Sequence, residues 1–334
     1  MNQEKKWILP LIIFLISFNL LLLEIFITRI FSVLLYYHFA FMAISIALLG
    51  LGSSSMFIYF FPNFFSKERS PKIISQALIL FSLSLLLVLF TITNIEITLY
   101  LTFLSVLKLI LLYTIILIPF FFGGIVVSLI LTHFSEKISK LYFFDLLGAS
   151  IGTLAVIILL KVLGGPNGLI FISLLGIISA LISSFYFKFK KEAIISSILI
   201  LLLFVLIFVG IKYDPFTLEF TKGSFDISGD EVKEFSAWNA ISRVDQFSKG
   251  DRKYILIDSD AFTEVIKVNT TIEEASSKLS NDLSALAYYI KPNSKALIIG
   301  SGGGIDVLRA LHFNSTVTGI EINDIIVNKL MKDK

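Results

Sequence analysis

The sequence has 334 residues, of which 56% are hydrophobic and only 16% are charged, and its formal net charge is +3. Soluble domains are about 45–50% apolar and about 25% charged, so this composition excludes a purely soluble protein and indicates an integral membrane protein. The small net charge, with lysines clustered between apolar runs, predicts no nucleic-acid partner. Because cysteine is absent, disulfides, thiolate metal ligands and cysteine nucleophiles are excluded, and no metal site is predicted.

The first two thirds of the chain consist of apolar runs, and about 20 mainly apolar residues suffice for a helix to cross a bilayer. We predict seven spans, near residues 8–31, 38–61, 73–92, 103–132, 142–163, 168–187 and 193–211. The fourth contains Pro119 and the pair Gly123-Gly124, which predict a kink or an interruption. Residues 1–212 are therefore interpreted as an α-helical, multi-span domain in the cytoplasmic membrane, with the lipid bilayer as its main partner.

Basic residues cluster in alternate loops of this region. They are Lys5 and Lys6; Lys67, Arg69 and Lys72; Lys137 and Lys140; and Lys188, Lys190 and Lys191. The positive-inside rule places such clusters in the cytoplasm, and seven spans then place the C-terminal region on the opposite side. One miscounted span would reverse this assignment, so the sequence leaves the orientation open.

Five ionisable residues lie within the predicted spans or at the start of one, namely Glu24, Arg29, His38, Lys108 and Asp145. A charge at membrane depth is costly unless it is paired or hydrated, so each is a candidate for function. The simpler interpretation is that an acid pairs with a base and fixes the helix packing.

Small residues in "GLGSSS" (50–55) and "GASIG" (148–152) predict close helix contacts, within the chain or between copies in a homo-oligomer; a substrate pathway is the alternative.

After Lys212 charges return and the apolar runs shorten. Strands are predicted at 241–247, 253–259 and 262–269, with "SKGD" as a turn, and they define a small antiparallel β domain over 213–270. A helix is predicted over 272–290, with Thr271 as its N-cap, Glu273 and Glu274 in its first turn, and Pro292 after its end.

The stretch "ALIIGSGGGIDVLRALHFNSTVTGIEIN" (296–323) has the order strand, glycine loop, helix, strand and acid. Glycine permits the sharp bend at Gly300, Gly302 and Gly304, the helix that follows directs its amides at a ligand, and Glu321 is placed to accept ribose hydroxyls. Ile305 stands where a dinucleotide site needs its third glycine, which favours an S-adenosylmethionine-type site over NAD. A structural αβ unit without a ligand is the alternative. The candidate nucleoside-binding residues are Gly300, Ser301, Gly302, Gly303, Gly304, Asp306, Glu321 and Asn323.

These motifs resemble the membrane-embedded spermidine synthase-like proteins, in which a multi-span region precedes an aminopropyltransferase-like domain. The resemblance rests on "ALIIGSGGGIDVLRAL" with "VTGIEIN", on the first two spans, on "LYFFDLLGASIGTL", and on "WNAISRVDQF" with "ILIDSDAFTEV". It implies that 271–334 is the N-terminal portion of an α/β Rossmann-like (class I methyltransferase-like) domain. It also implies S-adenosylmethionine or decarboxylated S-adenosylmethionine as a substrate, without a metal, and an amine or membrane-associated acceptor.

Two departures from that family affect the expected activity. The loop "IDSDAFTEV" lacks the family's Gln, and no Tyr-His-Glu cluster follows, so a polyamine acceptor does not follow from the motif. The family's catalytic acid lies beyond the second strand, so no catalytic residue is assigned, and we expect a truncated, inactive chain. Two other functions stay open: a transporter or channel-like protein with a nucleotide-sensing domain, and an S-adenosylmethionine-dependent methyltransferase.

Overall fold

The protein is described by a computed structural model that covers residues 7–35, 37–95, 102–218, 222, 231–250, 252–266 and 279–331. The chain divides into two compact units, Met1–Thr221 and Lys222–Lys334. The first contains the apolar runs, and the second contains both of the C-terminal segments that the sequence separates at residue 270.

Within the described residues of the first unit, six helices are long and apolar enough to cross a membrane. They are α1 (Ile8–Leu34), α2 (Ala40–Phe60), α3 (Ser70–Asn94), α4 (Phe103–His133), α5 (Ile138–Phe187) and α6 (Lys190–Tyr213). Helix α4 continues through Pro119, so the interruption expected there is absent. The turn Tyr37–Phe39 precedes α2 and contains His38, which is exposed. His38 therefore lies before the span that the sequence assigned to it.

Helix α5 contains both of the spans predicted at 142–163 and 168–187. Its 50 residues correspond to about 75 Å at 1.5 Å per residue, more than twice the roughly 30 Å of a bilayer core. The helix is broken at Gly164, whose φ of 71° and ψ of 180° lie outside helical geometry. Pro166 follows, and the missing N–H of a proline is tolerated in the first turn of a new helix.

Contacts to neighbouring helices show that the two halves of α5 run in opposite directions. In the first half, Gly148 lies against Phe14 and Gly152 lies against Phe18, so this half is parallel to α1. In the second half, the Ser173 hydroxyl donates to the Ser82 carbonyl, and Ser183 and Ser75 hydroxyls are 2.8 Å apart. This half is therefore antiparallel to α3.

Helix α4 fixes the relative direction of α1 and α3. It is antiparallel to α1, because Gly123 lies against Leu20 while the Tyr113 ring is 5.8 Å from the Phe31 ring. Its last residue, His133, is hydrogen-bonded at 2.9 Å to the carbonyl of Phe65, just before α3 begins. Helices α1 and α3 are thus parallel, and the described helices pass through the bundle seven times, with the reversal at Gly164.

All the described basic clusters lie at one end of this bundle, which we call the basic end. Lys140 lies over the Trp7 ring at the start of α1, and Glu192 at the start of α6 accepts a hydrogen bond from Gln76 near the start of α3. The loop before α3 lies at the same end, because the Phe65 carbonyl in that loop is hydrogen-bonded to His133 at the end of α4. At the other end, Gly210 near the end of α6 lies against Asn167. Helix α6 therefore finishes opposite the basic end.

The small-residue faces are occupied within the chain. A Cβ on Gly148 would come 2.2 Å from the Phe14 carbonyl oxygen, and one on Gly152 would come 2.5 Å from that of Phe18. In "GLGSSS", Gly50 lies against Phe120 of α4, and the Ser55 and Ser128 hydroxyls are 2.9 Å apart. These faces pack α1 on α5 and α2 on α4, so they give no support to the oligomer expected from them.

The second unit contains a four-stranded antiparallel sheet in the order β1-β2-β3-β4. Its strands are β1 (Val232–Trp238), β2 (Arg243–Lys249), β3 (Arg252–Ile257) and β4 (Ala261–Val265). The sequence pattern did not predict β1. The sheet packs against a π-helical turn, Ile326–Met331, through a core that contains Val244, Ile255, Val265, Ile325, Ile326 and Leu330. The small sheet and the end of the nucleotide-type motif therefore share one core.

The rest of this unit is a β-α-β arrangement. Strands β5 (Lys295–Ile299) and β6 (Thr316–Ile320) pair in parallel, with Lys295 opposite Thr316 and Ile299 opposite Ile320. The described part before them contains the turn Leu283–Ala285 and the short helix α7 (Leu286–Ile290), and α8 (Ile305–His312) joins the two strands. Leu297, Ile299 and Ile320 are exposed, which is unusual for parallel strands, because both faces of such sheets are normally covered.

The helix predicted over 272–290 is confirmed in its described part only over Leu286–Ile290, which forms α7. Residues 279–282 form a turn and a bend instead, and Asp282 caps the turn Leu283–Ala285 by accepting a hydrogen bond from the Ser284 backbone N–H at 3.3 Å. Serine, asparagine and aspartate favour such local bonds over a helix interior. Thr271, Glu273 and Glu274 lie outside the described residues.

Candidate functional site

The glycine loop lies at the carboxyl ends of β5 and β6. Gly300, Gly302 and Gly304 have φ values of 74°, 49° and 85°, a left-handed region that glycine adopts without strain. The N–H groups of Gly300 and Ser301 donate to the Ile320 carbonyl at 2.7 and 3.3 Å, which joins the loop to the tip of β6. The Gly304 N–H donates to the Ser301 carbonyl, and no side chain caps the start of α8. The loop is thus a tight turn followed by a helix start, a common setting for anionic or polar ligand groups.

Glu321 faces this loop. One carboxylate oxygen accepts from the Gly302 N–H at 3.0 Å, and the other accepts from the Asn323 N–H at 2.9 Å. The side chain is half-buried. The predicted acid and the predicted glycine loop are therefore in direct contact. Glu321 accepts a hydrogen bond from the Gly302 N–H, and a ligand in the loop would compete for that donor.

Two other candidate residues are committed to bonds inside the protein. The Asp306 carboxylate accepts from Arg309 one helical turn later, and Arg309 also donates to Asp282 at 3.0 Å. The Asn323 side chain donates to the Ser242 hydroxyl at 2.8 Å and accepts from Asn239 at 2.9 Å. Asn323 is 2% exposed. Asn323 therefore stabilises the site from inside the protein, whereas the Asp306 carboxylate is exposed and paired with Arg309.

The small sheet supplies contacts that sequence reasoning missed. A Cβ on Gly303 would be 2.4 Å from the Glu264 carbonyl oxygen, and one on Gly302 would be 3.3 Å from the Thr263 methyl group. Strand β4 thus covers one side of the loop, while a Cβ on Gly300 would meet nothing within 4 Å. The only sequence signal was the likeness of "ILIDSDAFTEV" to the family's β domain, which gave no pairing between these residues.

The turn before β4 is stabilised by the backbone of Arg243 and the ammonium group of Lys222. Asp258 and Ser259 have φ values of 49° and 60°, a region that non-glycine residues rarely adopt. The Asp258 carboxylate accepts from the backbone N–H of Arg243 at 2.8 Å, and the Asp258 carbonyl accepts from the Lys222 ammonium at 2.6 Å. Burial lowers the pKa of Lys222, and the carboxylates of Asp260 and Asp258 act in the opposite direction. These bonds stabilise a strained turn directly before the strand that contacts the glycine loop.

The two acids among the membrane candidates, Glu24 and Asp145, lie on different helices. Asp145 accepts a hydrogen bond from the Ser17 hydroxyl on α1, which joins α1 to the first half of α5. Glu24 is half-buried on α1, and the Thr28 hydroxyl donates to its backbone carbonyl. Arg29 and Lys108 are also half-buried. Among the described residues, no group of three or more histidines or acids could hold a metal ion.

Sequence reasoning also missed Asn19. This residue is 0% exposed in the middle of α1, and neither its amide nitrogen nor its amide oxygen has a hydrogen-bond partner among the described residues. Its side chain is neutral and lies in an apolar run, so the pattern of charged residues gives no indication of it. An unsatisfied amide at membrane depth costs several kcal/mol, which makes Asn19 an unusual residue among those described in the bundle.

Comparisons with protein-family models, with curated proteins and with solved structures found no match for this chain.

Proposed function

We propose that the second unit binds an adenosyl-sulfonium compound, S-adenosylmethionine or its decarboxylated form, and that the protein is a membrane-anchored transferase of the spermidine synthase-like type. The observation that carries the proposal is the contact between Glu321 and the Gly302 N–H at 3.0 Å. It puts a carboxylate and a glycine turn together at the carboxyl ends of two parallel strands, where open α/β sheets bind nucleotides.

Different residues of the site contact different parts of the ligand. On binding, the Glu321 carboxylate exchanges the Gly302 and Asn323 amides for the two ribose hydroxyls, which are donors of the same kind. The loop of Gly300 to Gly304 and the uncapped start of α8 then face the polar tail of the ligand. Strand β4 covers the loop from one side, so the ligand approaches from the open side at Gly300.

The chemistry that such a ligand supports is attack by a nucleophile on a carbon next to the sulfonium. The new bond forms to that carbon, the carbon–sulfur bond breaks, and its electron pair goes to sulfur, which becomes a neutral thioether. An amine nucleophile has to lose a proton to a base. We assign no residue to that role, and the acceptor is an amine or a membrane-associated group. Release of methylthioadenosine identifies aminopropyl transfer, and release of S-adenosylhomocysteine identifies methyl transfer.

Isothermal titration calorimetry on the full chain in detergent tests the proposal. We expect binding of S-adenosylmethionine or decarboxylated S-adenosylmethionine in preference to NAD, since Ile305 occupies the third glycine position of dinucleotide sites. Glu321→Ala should weaken binding by about tenfold or more, because hydrogen bonds to a charged group contribute about 1.5–3 kcal/mol.

Glu234→Ala is the matched control for this measurement. Glu234 pairs with Lys253 on the small sheet and is partly exposed, so its loss removes one acid without touching the glycine loop. The control should bind like the wild type. Equal affinities of the Glu321→Ala and wild-type chains, or tighter binding of NAD, would remove the basis of the proposal.

Asn19 favours a second candidate function, transport through the bundle. Its unsatisfied amide is fully buried and lies on the same helix as Ser17, whose hydroxyl binds Asp145. Polar groups at this depth commonly mark a path for water, ions or substrate. Uptake of a polar solute into proteoliposomes measures this function. Loss of uptake in the Asn19→Leu variant would favour it, whereas uptake equal to that of the wild type would exclude Asn19 from it.

A further inference from the structure

A cavity of about 610 Å³ lies at the basic end of the bundle, between the end of α5 and the start of α6. Its wall is largely apolar and includes Phe185, Ile194 and Ile198, all exposed at the surface of the bundle. In a membrane protein such exposed apolar side chains face lipid. The cavity is therefore open to the hydrocarbon layer and is within the size range of small-molecule sites.

The rim of this cavity is cationic. Lys188 and Lys190 line it, and both are exposed. The nearest acid in sequence, Glu192, accepts a hydrogen bond from Gln76 instead. Glu192 lies in the first turn of α6 and is 6% exposed, so its carboxylate is buried against α3, whereas the two lysines are exposed. An apolar volume with two ammonium groups at its mouth suits an amphiphile with a negative head.

The wall of the cavity contains a buried hydroxyl that is an independent indication of a ligand. Ser184 lines the cavity, is 1% exposed, and its hydroxyl has no hydrogen-bond partner among the described residues. A buried hydroxyl without a partner is costly, and a bound acceptor removes that cost. Ser183, its neighbour in the chain, is by contrast satisfied by Ser75.

We propose that this cavity binds an anionic phospholipid. One acyl chain occupies the apolar wall, the phosphate lies between Lys188 and Lys190, and the Ser184 hydroxyl donates to an ester carbonyl of the glycerol backbone. Basic pockets between membrane helices, on the side where anionic lipids gather, bind phospholipid heads through this combination of charges. The site lies in the membrane unit and does not depend on nucleoside binding.

Native mass spectrometry of the full chain, titrated in detergent with dioleoyl-phosphatidylglycerol or dioleoyl-phosphatidylcholine, tests the site. The wild type should retain phosphatidylglycerol in preference to phosphatidylcholine. The double variant Lys188→Gln/Lys190→Gln should weaken phosphatidylglycerol binding by about thirtyfold, given the contribution of each lysine near a lipid phosphate. Lys67→Gln/Lys137→Gln removes two lysines from other loops of the same end and should bind like the wild type.

A second variant separates the cavity from its charges. Ala193 lines the cavity and is 7% exposed, so Ala193→Phe fills it while every lysine stays in place. This variant, with an unchanged melting temperature, should also lose phosphatidylglycerol. Equal retention of the two lipids, wild-type binding by Lys188→Gln/Lys190→Gln, or displacement of the lipid by glycerol phosphate as the free headgroup would overturn the proposal, the last because the site would then serve a soluble anion.

Discussion

Two glycines of the membrane unit differ sharply in what surrounds them, although both lie inside long helices. A Cβ on Gly148 would be 2.2 Å from the backbone oxygen of Phe14, whereas a Cβ on Gly52 would meet nothing within 4 Å. Gly148 thus allows α1 and α5 to approach closely, while Gly52 only gives its helix conformational freedom.

This difference predicts opposite effects of the same substitution. Gly148→Ala should destabilise the protein by about 1–3 kcal/mol, because the backbones of two helices must separate. Gly52→Ala should stabilise it by up to about 1 kcal/mol, since alanine favours a helix over glycine. Thermal unfolding in one detergent measures both variants, and a lower melting temperature for Gly52→Ala than for Gly148→Ala would contradict the packing described.

The candidate nucleoside site was only partly predictable at the level of residues. Gly302 and Glu321 came from motif order, because a strand, a glycine turn and a following strand place them at one edge whatever surrounds them. The role of Asn323 was not predictable, because its partners Asn239 and Ser242 lie more than 80 positions earlier in the chain. Asp306 was predicted as a binding residue for a different reason: its partner Arg309 lies only one helical turn away, but the bond between them depends on the rotamers of both side chains.

At the scale of elements, strong local signals predicted the structure well. The strand and helix expected around the glycine loop correspond to β5, α8 and β6, since an apolar run, glycines and an amphipathic segment agree there. Strand β1 was missed because "VKEFSAW" does not alternate between apolar and polar residues, and it forms by pairing with β2. Its existence depends on a partner strand, which local periodicity cannot encode.

Helix α5 is one continuous element along the chain, but the chain reverses its direction within it. Its backbone is helical on both sides of Gly164, and the two predicted spans lie one on each side. Between them the sequence reads "GGPNG", in which glycine and proline both disfavour a continuous helix. Whether the chain bends or reverses there is decided by packing, in this case by Ser173 and Ser183 against α3.

At the scale of the whole molecule, the number of passages through the bundle and the positions of the basic residues together predict the orientation of the chain in the membrane. The basic end carries the described lysine clusters, and α6 finishes at the opposite end, beside Asn167. The positive-inside rule then puts the basic end in the cytoplasm and starts the chain after Tyr213 on the other side. An adenosyl ligand would have to be available on that side, which is a strong condition on the proposed function.

Cysteine labelling in intact cells tests this orientation, and the chain has no native cysteine to give background. Ser135→Cys lies at the basic end and Ser284→Cys lies in the second unit, and both positions are exposed. An impermeant maleimide should label Ser284→Cys directly and Ser135→Cys only after permeabilisation. The reverse pattern would place the second unit in the cytoplasm and would contradict either the reversal at Gly164 or the charge rule.

The central claim is that an adenosyl ligand binds between the glycine loop and Glu321, and hydrogen–deuterium exchange of the full chain with S-adenosylhomocysteine measures this most directly. We predict slower exchange in peptides that cover 300–306 and 321–323, because the ligand shields the loop amides and orders the acid beside them. Exchange in α1 to α6 should not change. Unaltered exchange in those two segments at saturating ligand, or protection confined to the membrane helices, would contradict the claim.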